Sequence, residues 1–150
     1  MSHGLKKKTG SSKVSRTPIA DSGCCSEQKP WFAFDRLTSN SRYNLDNLRP
    51  GRDRETTLLG LYTRLRELSS ESRLYWSQQK KSVGTETMHL CDLNFSPGGD
   101  AVFGDETIYV LRFDTYQGRG KGRIIGFKSD PCAVFHVIGF DIDFSAYDHG

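Results

Sequence analysis

With 150 residues, 35% of them hydrophobic, and a mean hydropathy of −0.58, the chain suits one domain but is too lean for all of it to lie in a core. No stretch approaches the ~18 consecutive apolar residues of a membrane helix, and no apolar run follows the basic N-terminus as in a secretory signal. The expected location is therefore cytoplasmic, with no membrane partner. The net charge of +3 hides an asymmetry: residues 1–81 carry 16 Lys/Arg against 8 Asp/Glu, and residues 82–150 carry 5 against 10. A basic half points to an anionic partner, nucleic acid or an acidic protein; a solvated arm and helix face is the plainer reading.

Residues 1–30 place Lys6, Lys7, Lys8, Lys13 and Arg16 before the first acid, Asp21, among Ser, Thr and Gly with no apolar period. They are expected to form a disordered basic arm. Residues 31–54 open on an aromatic cluster, Trp31, Phe32 and Phe34, expected to dock on the core. They continue as an Arg/Asn-rich connector that ends at Pro50-Gly51. The compact domain is expected over 55–150. Of the four cysteines, Cys24 and Cys25 are adjacent while Cys91 and Cys132 stand alone. Without CxxC spacing or a secretion signal, free thiols are expected rather than a zinc site or a disulfide framework.

Leu58, Leu61, Tyr62, Leu65 and Leu68 fall on one stripe of an amphipathic helix. Ser69 and Ser70 either break that helix and cap a second one around Leu74, Tyr75 and Trp76, or the helix runs through to Lys81. Beyond Val83 the pattern changes to strands. The segment 87–95 reads as a short one, stopped by Ser96-Pro97-Gly98-Gly99. The β-branched and aromatic run at 107–113 is another. A flexible Gly-rich loop over 114–122 then leads into 123–128, and a turn at 129–132 into the longest strand, 133–143. Links this short force antiparallel pairing. The expected fold is α+β, with one or two helices packed on a small antiparallel meander. A period of two along the last strand puts Val134, His136, Ile138, Phe140 and Ile142 on one face, expected to pack under the helix.

Three groups of residues carry candidate chemistry. The hairpin tip GRGKG concentrates Arg119, Lys121 and Arg123 beside Arg112. It lacks the ending of a phosphate-binding P-loop and reads as a basic tip that contacts phosphates or as a solvated turn. Asp141, Asp143 and His149 have the donor types of a metal nuclease, yet they read more simply as the hydrophilic exit of a strand, and no metal or cofactor is expected. The third set needs no metal: Arg112, Arg123, Lys128, His136, Tyr147 and His149. RNA is cleaved when its own 2′-hydroxyl attacks the adjacent phosphate. That reaction requires a base, cations for the phosphorane charge and an acid for the leaving oxygen. Arg112 and Arg123 supply the cations; His136, Tyr147 and His149 are the acid and base candidates. His136, on an apolar face, has a structural role as its plainer reading. Arg64, Arg66, Arg119, Lys121 and Lys128 are candidates for nucleic-acid contact.

The runs Ile108-Tyr109-Val110-Leu111-Arg112-Phe113, Arg123-Ile124-Ile125-Gly126-Phe127 and Gly139-Phe140, following helical sequence, resemble the strand order of the RelE/HigB-type toxins of toxin–antitoxin systems. The resemblance covers about residues 56–147, through short apolar motifs. It implies helices followed by an antiparallel sheet, a metal-independent RNA-cleaving or translation-inhibiting activity directed at RNA or the ribosome, and an antitoxin-like protein partner. Two positions depart from the family pattern. His136 lies three residues before Gly139 rather than beside it, and Asp141-Ile142-Asp143 stand where the family has phosphate-holding lysines. The alternative reading is a non-catalytic interaction protein of a phage or mobile element, holding nucleic acid or an acidic protein through its basic half.

Overall fold

The β-branched and aromatic runs of the C-terminal half build a five-stranded sheet in the computed structural model, which describes residues 29–79, 85–99, 106–129 and 134–149. The elements are β1 (Trp31–Ala33), α1 (Arg52–Ser70), α2 (Arg73–Gln78), β2 (Thr85–His89), a 3-10 turn (Leu90–Asp92), β3 (Thr107–Thr115), β4 (Gly118–Ser129) and β5 (Val134–Asp141). The sheet order is β1-β5-β4-β3-β2. β2 to β5 pair antiparallel in sequence order, whereas β1 lies parallel to β5. The α+β class holds, but the sheet is mixed and wider than the expected meander. The expected basic arm, Cys24, Cys25 and Cys132 lie outside the described residues, except for Lys29 and Pro30.

The parallel edge strand was hidden in the sequence because it is three residues long and its partner lies about a hundred positions away. Phe32 anchors it, with its ring 5.9 Å from that of Trp76 and 5.5 Å from that of Phe135. The rest of the segment expected to be a connector wraps the sheet edge, with Leu37 and Leu45 packed against the helix-side cluster and Tyr43 on the face opposite the helices. Tyr43 stacks on Phe95 at 4.6 Å, over Gly139, and joins Ile108, Val110, Ile125, Ile138 and Ala146 in one core layer. On the other face Leu61, Leu68 and Trp76 pack on Leu111, Phe113, Ile124, Phe135, Val137 and Phe140. Each large side chain taken out of water contributes about 1.5–3 kcal/mol, so a sheet buried on both faces offsets the lean composition.

The helix stripe is rotated from the expected one. Thr57, Leu61 and Leu68 are buried, while Leu58 and Tyr62 face solvent. Gly60 sets this rotation: a Cβ there would lie 2.0 Å from the Asp114 carbonyl oxygen, so only glycine lets α1 approach β3 this closely. α1 ends at Ser70, and the Ser72 hydroxyl accepts from the Tyr75 N–H at 3.3 Å to start α2, which favours the two-helix alternative.

The expected flexible loop over 114–122 is instead the base of β4, turning at Tyr116-Gln117. Gly118 and Gly120 adopt φ of 136° and 62°, and the Gly120 N–H donates to Asp114 Oδ1 at 2.7 Å, which absorbs the register shift between Phe113 and Thr115. A second irregularity corrects the face assignment of β5. Pairing jumps from Ile125↔Gly139 to Gly126↔Val137, so Ile138 is the extra residue of a bulge. Phe135, Val137 and Phe140 consequently pack with the helix cluster, and His136 and Ile138 fall on the other face.

Candidate nucleic-acid interface

Register places Arg112, Arg123 and Asp141 in one row across β3, β4 and β5, on the face away from α1. Like charges directly opposite one another destabilise a sheet unless they are compensated. Glu86, reaching from β2, accepts from Arg112 Nη2 at 2.7 Å. Arg123, only 4% exposed, donates from Nη1 to the carbonyls of Gly120 at 2.8 Å and Gly122 at 3.2 Å. Asp141 closes the row beside it.

Asp141 also determines where the following chain goes. Its Oδ1 accepts from the N–H groups of Asp143 and Ser145, and its Oδ2 from that of Ala146, each at 3.2 Å. A buried carboxylate accepting three backbone donors fixes a tight turn. Phe144 adopts a φ of 58° within it, unusual for a bulky residue. The turn folds residues 144–149 back over the row. The Phe144 ring lies 5.0 Å from the Arg123 guanidinium and 5.9 Å from the Lys121 ammonium, and the residue remains 40% exposed. His149 packs against Phe144 and Tyr147 with ring separations of 5.5 Å and 4.2 Å, and its Nε2 is 3.9 Å from Asp141 Oδ2. Phe144, Tyr147, Asp148 and His149 line a shallow open recess.

Tyr147 is enclosed beside the row. Burial pushes its phenol above the ordinary value, opposed by the neighbouring Arg123 and reinforced by the negative charges of Glu86 and Asp141. Its hydroxyl, together with Nε of Arg112 and Nε of Arg123, is buried without a hydrogen-bond partner of good geometry. Three unsatisfied polar groups on one face are a concentration that invites either water or ligand.

Four of the five acid, base and cation candidates thus meet: Arg112, Arg123, Tyr147 and His149. His136 does not join them. It pairs with Phe127, four residues along β4 from Arg123, about 13 Å away at the usual strand rise. There its ring stacks on Phe127 at 4.9 Å and its Nδ1 lies 2.7 Å from Asp35 Oδ1. That hydrogen bond holds the Asp35 carboxyl below its usual value. Lys128 sits at the same far end, 4.0 Å above the Tyr109 ring. Arg64 lies behind the row, donating from Nε to the Arg112 carbonyl at 2.8 Å and pairing with Glu67. Arg66 is exposed on α1, over Tyr62 at 5.7 Å. Of the five nucleic-acid candidates, Arg119 and Lys121 are exposed on the hairpin; Lys121 lies beside the row at Phe144, whereas Arg119 lines a groove with Leu59, Arg64 and Glu67 of α1.

The oxygens of Asp141 and Asp143 are committed to protein partners. Asp143 meets Nε and Nη2 of Arg42 at 2.9 Å each and also accepts from the Ser145 hydroxyl. Burial raises the Asp143 carboxyl, but the bonds from Ser145 and Arg42 outweigh it and leave the group below its ordinary value. Sequence reasoning missed Phe144 and the organising role of Asp141. The alternation Asp141-x-Asp143-x-Ser145, with side chains suited to turn N–H groups, was the available signal for the second. Compared with known proteins, the chain matches no family model, no curated protein and no solved structure.

Proposed function

We propose that this chain is a metal-independent, RNA-directed endoribonuclease or translation inhibitor, of the architecture that its strand order resembles in RelE/HigB-type toxins. One observation carries the reading: Arg112 and Arg123 stand opposite each other on adjacent strands, and the turn after β5 brings Tyr147 and His149 to the same face. In this scheme an unpaired base stacks on Phe144 and a flanking phosphate meets Lys121. His149 takes the 2′-hydroxyl proton, and Arg123 stabilises the negative charge developing on the phosphorane oxygens. Tyr147, its phenol shifted upward, stays protonated at neutral pH and donates to the leaving oxygen. The target is RNA, free or on the ribosome, in the cytoplasm, and an antitoxin-like protein would hold the activity in check. Induced expression in a bacterium tests the proposal. Growth arrest that His149→Ala and Arg123→Lys relieve is expected; unimpaired growth, or arrest indifferent to both substitutions, contradicts it.

A second reading has its own support. Arg112 is tied to Glu86, Arg123 is enclosed, and Asp141 and Asp143 stand where the toxins carry lysines. On that reading the same surface binds nucleic acid without cutting it, as an accessory factor of a phage or mobile element. RNA recovered intact from a complex whose affinity falls steeply with salt distinguishes it.

A further inference from the structure

The Arg/Asn-rich segment read from the sequence as a connector builds a wall of a second concavity, apart from the Arg112–Arg123 row. Hydrogen bonds from Thr38 N to the Ile138 carbonyl at 2.9 Å and from Phe140 N to the Tyr43 carbonyl at 2.7 Å seat the segment on β5. The paired contact of Arg42 with Asp143 locks its middle to the turn after β5. Between this segment, the start of α1 and the β3–β4 turn lies a cavity of about 670 Å³, within the size range of small-molecule sites.

The lining is chemically divided. Arg49 and Arg52 both belong to the lining; both are exposed, and neither has a carboxylate partner among the described residues. Asp53, next to Arg52, is also in the lining, while Arg42 and Asp143 neutralise each other. The lining also includes the turn Tyr116-Gln117, whose Gln117 Nε2 donates to the Tyr116 hydroxyl at 3.1 Å. That bond holds an aromatic ring, 41% exposed, at the cavity. Leu48 and Ile142 add apolar wall.

Two guanidinium groups without an ion-pair partner among the described residues recognise a phosphate, since the planar fork matches its oxygens. A partly exposed aromatic ring in the same lining recognises a flat, polarisable ring. We propose that this cavity binds a nucleotide, its phosphate on Arg49 and Arg52 and its base against Tyr116. The ligand is either a free mononucleotide or the phosphorylated end of an RNA strand. The site stands apart from the cleavage chemistry proposed above: it shares with it neither Arg112, Arg123, Tyr147 nor His149.

Isothermal titration of the full chain with five probes tests this: inorganic phosphate, adenosine 5′-monophosphate, adenosine, and a short oligoadenylate with and without a 5′-phosphate. Binding requires no turnover, so the result is separate from the presence or absence of RNA cleavage. The expected result is that a phosphorylated probe binds at least about tenfold more tightly than its unphosphorylated counterpart. Arg49→Ala/Arg52→Ala should abolish that difference at an unchanged Tm, because both side chains are exposed. Tyr116→Ala should weaken the phosphorylated probe but leave inorganic phosphate binding alone. Discrimination by both phosphorylated probes indicates a free nucleotide, and discrimination by the oligonucleotide alone indicates a strand end. Equal binding of phosphorylated and unphosphorylated probes, no binding of either, or an unchanged preference in the double variant overturns the proposal.

Discussion

Asp141 gathers three backbone N–H groups and a place beside Arg123 into a side chain that is 1% exposed. Asp141→Asn exchanges one accepting oxygen for an NH₂ group facing a donor. The expected loss is about 2 kcal/mol in urea unfolding, accompanied by faster proteolysis within residues 142–149. Asp35 and Asp143 give the molecule an acid-side dependence. Both carboxyls are held below their ordinary values in the folded chain. The stability they contribute is therefore fully present above the ordinary carboxylate range and is lost as pH falls through their depressed folded values. A Tm that is level near neutrality should decline below about pH 4. His136→Asn, which removes the partner of Asp35, should flatten part of that decline. The effect is modest because both carboxylates are substantially exposed. At this scale the sequence made the residue types visible but not their company. Arg123 read as a hairpin-tip cation and is an enclosed one, because the Asp141 turn lays Phe144 over it.

Elements were legible where their periodicity was strong and local. The run 107–113 and the β-branched core of β5 read directly as strands. Glycines decided what the pattern could not. Gly60 turns α1 so that Thr57, rather than Leu58, faces β3, and no hydrophobic count reveals a carbonyl waiting 2.0 Å from an absent Cβ. Gly60→Ala therefore opposes helix propensity with a clash. Alanine gains about 1 kcal/mol in an isolated helix, yet pushing α1 off β3 costs more, and a net destabilisation of about 2 kcal/mol is expected from chemical denaturation. A stabilised Gly60→Ala protein would mean that α1 does not approach β3 this closely. The bulge at Ile138 is the other case. Period-two reading carried His136 and Phe140 to the same face, and one extra residue separates them.

Among the described residues the molecule is a mixed sheet covered on both sides, by α1 and α2 with Leu37 and Leu45 on one and by Tyr43 with the C-terminal turn on the other. The second cover was unreadable as such because its side chains are mostly polar. Its hold on the sheet comes from backbone hydrogen bonds, the Arg42–Asp143 pair and a single stacked Tyr43. That cover also brings the proposed acid and base to the two arginines. Among the described residues no helix is long and apolar enough to cross a membrane. The most direct test of the proposed activity is the chemistry of the ends left on RNA incubated with the protein, alone and with ribosomes, in the presence of a strong chelator. Attack by the 2′-hydroxyl predicts 2′,3′-cyclic or 3′-phosphate and 5′-hydroxyl ends, abolished by 2′-deoxy substitution at the cut site and by His149→Ala. RNA left whole under every condition, or cut to 5′-phosphate ends only when divalent metal is restored, would contradict it.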